Sequence, residues 1–171
     1  MSSSALPSLP LLCIASLLCL FILLIVAAYF DIRFRRIPNS LCVIAALVSV
    51  PYWGGMSGLA MPTSMGQQFL VLLVATVPLL GFFVLGALGG GDIKMLGAVL
   101  LWIRPGEILP MIALMVLAGG VIAVAAMGHA LLRRRRPNEA TVPFGVAIAV
   151  GAIPALTGEL LVNLKALNLW G

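Results

Sequence analysis

From Ile37 to Gly91 the chain runs for 55 residues without one charged side chain. A bilayer crossing takes about 20 apolar residues, so this stretch alone has room for two crossings and a turn. The rest of the 171 residues agrees: 63% are hydrophobic and 9% charged, where a soluble domain carries about 25% charge. A water-soluble domain and a disordered chain are thereby excluded. The net charge of +5 is small and clustered, which argues against a nucleic-acid partner. What remains is an all-α, polytopic membrane protein forming one domain over residues 1–171.

Six spans can be placed, at about 11–30, 40–52, 68–88, 92–104, 108–132 and 141–158. The first run has no Lys or Arg before it and Asp31, Arg33, Arg35 and Arg36 directly after it, so it reads as a retained helix and not as a cleaved signal. The turn inside the charge-free stretch is marked by Pro51, Gly54, Gly55, Gly58 and Pro62. Pro38-Asn39-Ser40 is a helix start. The fourth span is short, with nine apolar residues between Lys94 and Arg104, and requires both charged heads to snorkel. Charge parity supports keeping it. Six crossings put Arg33, Arg35, Arg36, Lys94 and Arg133–Arg136 on the cytoplasmic side, with Arg104 and Lys165 outside, whereas five would carry four consecutive arginines across. Both termini are then outside, and the cytoplasmic loops are short.

Cys13, Cys19 and Cys42 lie in apolar runs with no Cys-x-x-Cys pair, and His129 is the single histidine. A zinc site of about four N or S ligands cannot be assembled from these, so no metal is expected.

The chain holds five acids. Glu107, Glu139 and Glu159 fall at connections between spans and read as solvated surface charges. Asp31 and Asp92 differ, because each stands where an apolar segment meets the cytoplasmic side. Two carboxylates facing one interface can share a proton, since like charges that close do not both ionise. The ionised partner then deprotonates a water while the protonated one donates to a carbonyl oxygen, which is the chemistry of an aspartic protease. Helix dipoles suggest that the shared proton sits mostly on Asp31, at the C-terminal end of its helix, with Asp92 favoured as the anion at a helix start. Gly89, Gly90 and Gly91 precede Asp92 and would let a substrate backbone approach it.

At this point the sequence resembles a known family. Gly89-Gly90-Gly91-Asp92-Ile93-Lys94-Met95 is similar to the G-x-G-D motif of the prepilin peptidases, membrane aspartyl proteases that process pilin precursors. Asp31-Ile32-Arg33-Phe34-Arg35-Arg36-Ile37-Pro38-Asn39 resembles the family's first catalytic segment. Val142-Pro143-Phe144-Gly145-Val146-Ala147-Ile148 resembles the opening of its last helix. The short form looks most like the tight-adherence (Flp-pilus) branch.

The resemblance implies a bacterial inner-membrane endopeptidase with Asp31 and Asp92 catalytic. Gly89, Gly91, Lys94, Pro38, Asn39, Pro143 and Gly145 would support them. The implied substrate is a prepilin with a short basic leader, cut on the cytoplasmic side without a cofactor. The short segment 31–39 leaves no room for a methyl-donor site, so no N-methyltransferase activity is expected.

Lys94 could tune the field of the site or anchor the membrane edge. Arg133–Arg136 reads as a stop signal contacting anionic lipid, each charge contributing about 1 kcal/mol near such a surface. The competing readings are a small transporter and a pilus or secretion assembly subunit without peptidase activity. Against the transporter, no repeat relates the two halves, and both aspartates lie at the edge and not at midplane.

Overall fold

The computed structural model describes residues 8–58, 70, 72–74, 77, 80, 81, 84, 89–132 and 143–169. Among them there is helix and no strand. The helices are α1 (Ser8–Phe34), α2 (Asn39–Gly58), α3 (Gly90–Leu100), α4 (Pro105–Leu132) and α5 (Phe144–Leu169). The described positions between 70 and 84 are helical too, and the remainder of the third predicted span lies outside the described residues. So does the run Arg133–Arg136.

Among the described residues, four helices are long and apolar enough to cross a membrane: α1, α2, α4 and α5. α3, with 11 residues, is not. At 1.5 Å per residue it extends about 16 Å, against a hydrocarbon core of about 30 Å. The protein is therefore a multi-pass, all-helical membrane protein. Ile25, Val121 and Val124, each about 70% exposed, present the kind of apolar surface that lipid covers.

Local chemistry fixes the helix ends. α1 stops where Arg35 takes φ 55°, its N–H still reaching the Asp31 carbonyl at 3.0 Å. Pro38 then bars continuation and Asn39 opens α2, leaving a connection of only residues 35–38. Pro105 starts α4 at the helical position where a missing N–H costs nothing. Pro143 stands just before α5.

Three boundaries differ from the sequence reading. α1 runs to Phe34, so Asp31 lies in its last turn and not beyond its end. α2 continues through Pro51 to Gly58, because in a buried helix one lost backbone bond is outweighed by the packing of Tyr52, Trp53 and Met56, all nearly inaccessible. α5 continues from 158 to Leu169, since Glu159, expected at a solvated connection, is 7% exposed and paired with Arg104. Neutralised there, it no longer interrupts an apolar helix.

α1 packs against α2 and α5, α4 against α5, and α3 bridges α2 and α5. The core is Leu17, Leu20 and Leu24 of α1, Ala45, Tyr52 and Trp53 of α2, Met95, Leu96 and Val99 of α3, and Ala147, Ile148 and Ala152 of α5. Gly151 allows the closest helix approach: a Cβ there would lie 2.8 Å from the Met111 carbonyl oxygen and from Met115 Cβ. The end of α1 and the starts of α2, α3 and α5 converge at one end of this bundle.

Candidate active site

Each polar residue at that end is placed by a helix terminus. Asp31 occupies the last turn of α1 and is 6% exposed. Its Oδ2 accepts the backbone N–H of Gly145, in the first turn of α5, at 2.6 Å. Gly145 is dictated by this approach, because a Cβ there would lie 3.0 Å from both Asp31 Cβ and Oδ2 and 3.1 Å from Ile37 Cδ1.

Asp92 is half-buried in the first turn of α3, with Gly89 as the N-cap. Its Oδ2 accepts the Gly89 N–H at 3.2 Å, the acidic half of a capping box. Gly91 faces the α1–α2 connection, where an added Cβ would meet Ile37 Cβ at 3.5 Å. The starts of α2 and α3 are tied by Lys94 Nζ, which donates to Asn39 Oδ1 at 3.1 Å.

The two aspartates line one cavity of about 310 Å³, together with Arg35, Arg36, Ile37, Asn39 and Gly89–Gly91. A second, more apolar groove of about 400 Å³, lined by Phe30, Phe34, Arg36, Ile37, Pro38 and Asn39, adjoins it through shared walls. Burial pushes the Asp92 carboxyl up to about 6, and the Asp31 carboxylate adds to the rise, while the Gly89 hydrogen bond opposes it. Among the described residues no group of three or more His, Cys, Asp or Glu is placed to hold a metal ion.

A family comparison matches residues 18–124 to the model of the type IV leader peptidase family. The chain belongs to that family. Comparisons with curated proteins and with solved structures each returned no match. The family match spans α1 to the first two-thirds of α4, so it contains both Asp31 and Asp92 and ends before Gly145. Membership makes this multi-pass protein a leader peptidase at the level of the family, with a prepilin-like substrate in general.

Asp31, Asp92, Gly89, Gly91, Lys94, Pro38, Asn39, Pro143 and Gly145 all fall at the same end of the bundle. Two contributions escaped the sequence reading. Ile37 is the apolar wedge against which both Gly91 and Gly145 pack; inside I-P-N it looks like one more apolar residue, and only the missing Cβ of two distant glycines gives it away. The other is the N-terminus of α5 aimed at Asp31. The dipole argument weighed the end of Asp31's helix and the start of Asp92's, and had no way to see the backbone N–H of Gly145, 114 residues away, that Asp31 accepts.

Proposed function

We propose that the protein is an aspartic-type prepilin peptidase in which Asp31 and Asp92 are the catalytic pair. The observation that carries this reading is their sharing of one cavity, in a chain with only three other acids. Asp31, accepting the Gly145 N–H, serves as the base that deprotonates a water. Asp92, whose carboxyl holds a proton up to about pH 6, donates to the scissile carbonyl oxygen. As water adds, Asp31 takes its proton and Asp92 becomes the anion. On collapse the C–N bond breaks as Asp31 passes its proton to the leaving amine, and a hydroxyl of the tetrahedral intermediate returns its proton to Asp92, so both carboxyls recover their starting states.

The glycines before Asp92 add no side chains to the cavity wall beside it, so an extended backbone can approach the carboxyl from that side. The adjoining groove of Phe30, Phe34 and Pro38 suits apolar residues next to the cut. Cleavage takes place at the cytoplasmic face of a bacterial inner membrane, with both termini outside and six crossings, the fourth a short one that α3 makes only together with residues 101–104 after it. That topology explains why the site end gathers Arg33, Arg35, Arg36 and Lys94. Arg133–Arg136 contact anionic lipid on the same side. The enzyme uses no cofactor and does not methylate its product. The α1–α2 connection of residues 35–38 supports this, being far too short to enclose a methyl donor.

Co-expression with a prepilin tests the assignment. Asp31→Asn and Asp92→Asn, nearly isosteric but unable to ionise, should each abolish the shift to mature length while the protein still inserts. Maturation at a near-normal rate by either variant would refute the pair.

A further inference from the structure

A second polar cluster lies at the opposite end of α3 from Asp92. Arg104, just past that end, has its Nη2 2.8 Å from Glu159 Oε2 and its Nε 2.5 Å from Oε1. Glu159 is buried and also accepts the Tyr52 hydroxyl at 3.1 Å. Two indoles fasten the same corner to α2: Trp53 Nε1 donates to the Leu101 carbonyl at 2.6 Å, and Trp102 Nε1 to the Ala45 carbonyl at 2.9 Å. Counting 14 residues along α5 from Gly145 to Glu159, the pair lies about 21 Å from the aspartates, still within the thickness of a bilayer core. Charges at such depth are costly unless they do something, and the cavity of the aspartates does not reach them.

We propose that the Arg104–Glu159 ion pair is a positioning lock that fixes the α3–α4 corner on α2 and α5 and thereby sets where Asp92 stands relative to Asp31. The inference rests on the reading of those aspartates as the catalytic pair. Among the described residues α3 is the shortest helix, and it carries a proposed catalytic group without being long enough to span by itself. It cannot be held in depth by its own length, as a full span is. A helix this short moves as a stiff rod, so displacing its Arg104 end displaces Asp92. Gly91, one residue before Asp92, faces Ile37 so closely that an added Cβ would be in van der Waals contact with it, so a shift of an ångström or so is felt at the site. Glu159 acts through Arg104 and touches no substrate; it is a positioning residue.

The same contact supplies a probe. A Cβ on Gly91 would stand 3.5 Å from Ile37 Cβ, within the about 3.5–4.5 Å range that a disulfide needs. Gly91→Cys with Ile37→Cys, in a background with Cys13, Cys19 and Cys42 replaced by alanine, should crosslink rapidly under mild oxidation. Adding Glu159→Gln leaves the half-buried Arg104 guanidinium without its charged partner and should slow crosslinking severalfold. In the otherwise native enzyme Glu159→Gln should lower kcat by about 10-fold or more per folded molecule with KM unchanged, as misplacement of a reacting group does. Glu159→Asp, charged but one methylene shorter, is the milder variant and should lower both readouts less, in the same direction. Glu107→Gln, an exposed acid on α4, should change neither. Wild-type crosslinking and kcat per folded Glu159→Gln molecule would overturn the lock, and so would a loss confined to the yield of folded protein. Crosslinking that still responds to Glu159→Gln in an enzyme that processes no prepilin would leave the lock standing and refute the peptidase reading instead.

Discussion

Gly145 shows how little space separates a working residue from an obstructing one. Its backbone N–H is 2.6 Å from Asp31 Oδ2, and any side chain there would meet that carboxylate. Gly91 is less constrained, since a Cβ added there would meet Ile37 at ordinary contact distances of 3.5–3.6 Å. Gly145→Ala should therefore lower kcat/KM by about 10-fold or more, and Gly91→Ala by less than about threefold, measured on one prepilin. Equal effects would mean that the close approach to Asp31 has no catalytic consequence.

The titration of Asp92 gives a second expectation. With the proton held up to about 6, processing should rise as pH falls from 8 toward 6. The sign for stability follows from the same shift. The folded carboxyl titrates above its ordinary value of 3.8, so its favourable contribution is complete below about pH 4 and lost as pH rises through about 6. Asp92→Asn should then melt a few degrees above the wild type at pH 8, with the difference gone at pH 4. Isotope-edited infrared spectra at pH 5 should show a protonated carboxyl that disappears in Asp92→Asn and persists in Asp31→Asn.

Among the elements, the α1–α2 connection is one of two four-residue joints among the described residues, and its geometry is carried by one backbone angle. Arg35 sits at φ 55°, where a branched side chain is strained and glycine is not. Arg35→Gly and Arg35→Val lose the same charge, so their difference isolates the backbone. Thermal unfolding in detergent should find the glycine variant more stable by about 1–2 kcal/mol. The elements also show where sequence patterning is weak. The apolar face of every long helix is nearly its whole circumference, so periodicity could place the runs but not say which residues meet other helices. Pro51 and Gly58 look like stops for α2, yet it runs on past the first to end at the second, because packing of Tyr52 and Trp53 outweighs one missing backbone bond.

For the whole molecule, four helix termini converge at one end, where both aspartates line a cavity, and the Arg104–Glu159 ion pair lies at the far end of α3 from it. Lys94→Cys, exposed at the active end, should react with a membrane-impermeant maleimide only after cells are permeabilised. Labelling from outside intact cells would invert the topology and remove the cytoplasmic cleavage site with it. Mass spectrometry of a prepilin processed by the purified protein, with methyl donor present, should find an unmethylated first residue.

The sequence by itself determined that the chain lives in a membrane, where its main helices run, and that Asp31, Asp92 and the glycine-rich turn belong together at one edge. These follow from the free energy of apolar segments in a bilayer and from motifs readable over a few residues. Tertiary structure alone decided what those acids touch. Asp31 meets a backbone N–H that is 114 positions away, Ile37 fills the gap left by two glycines on different helices, and Glu159 is a buried partner of Arg104 and not a surface charge. The physical reason is common to all three. A carboxylate's role is set by the donors and charges within a few ångströms, and in a helical bundle those neighbours come from elements far apart in the chain.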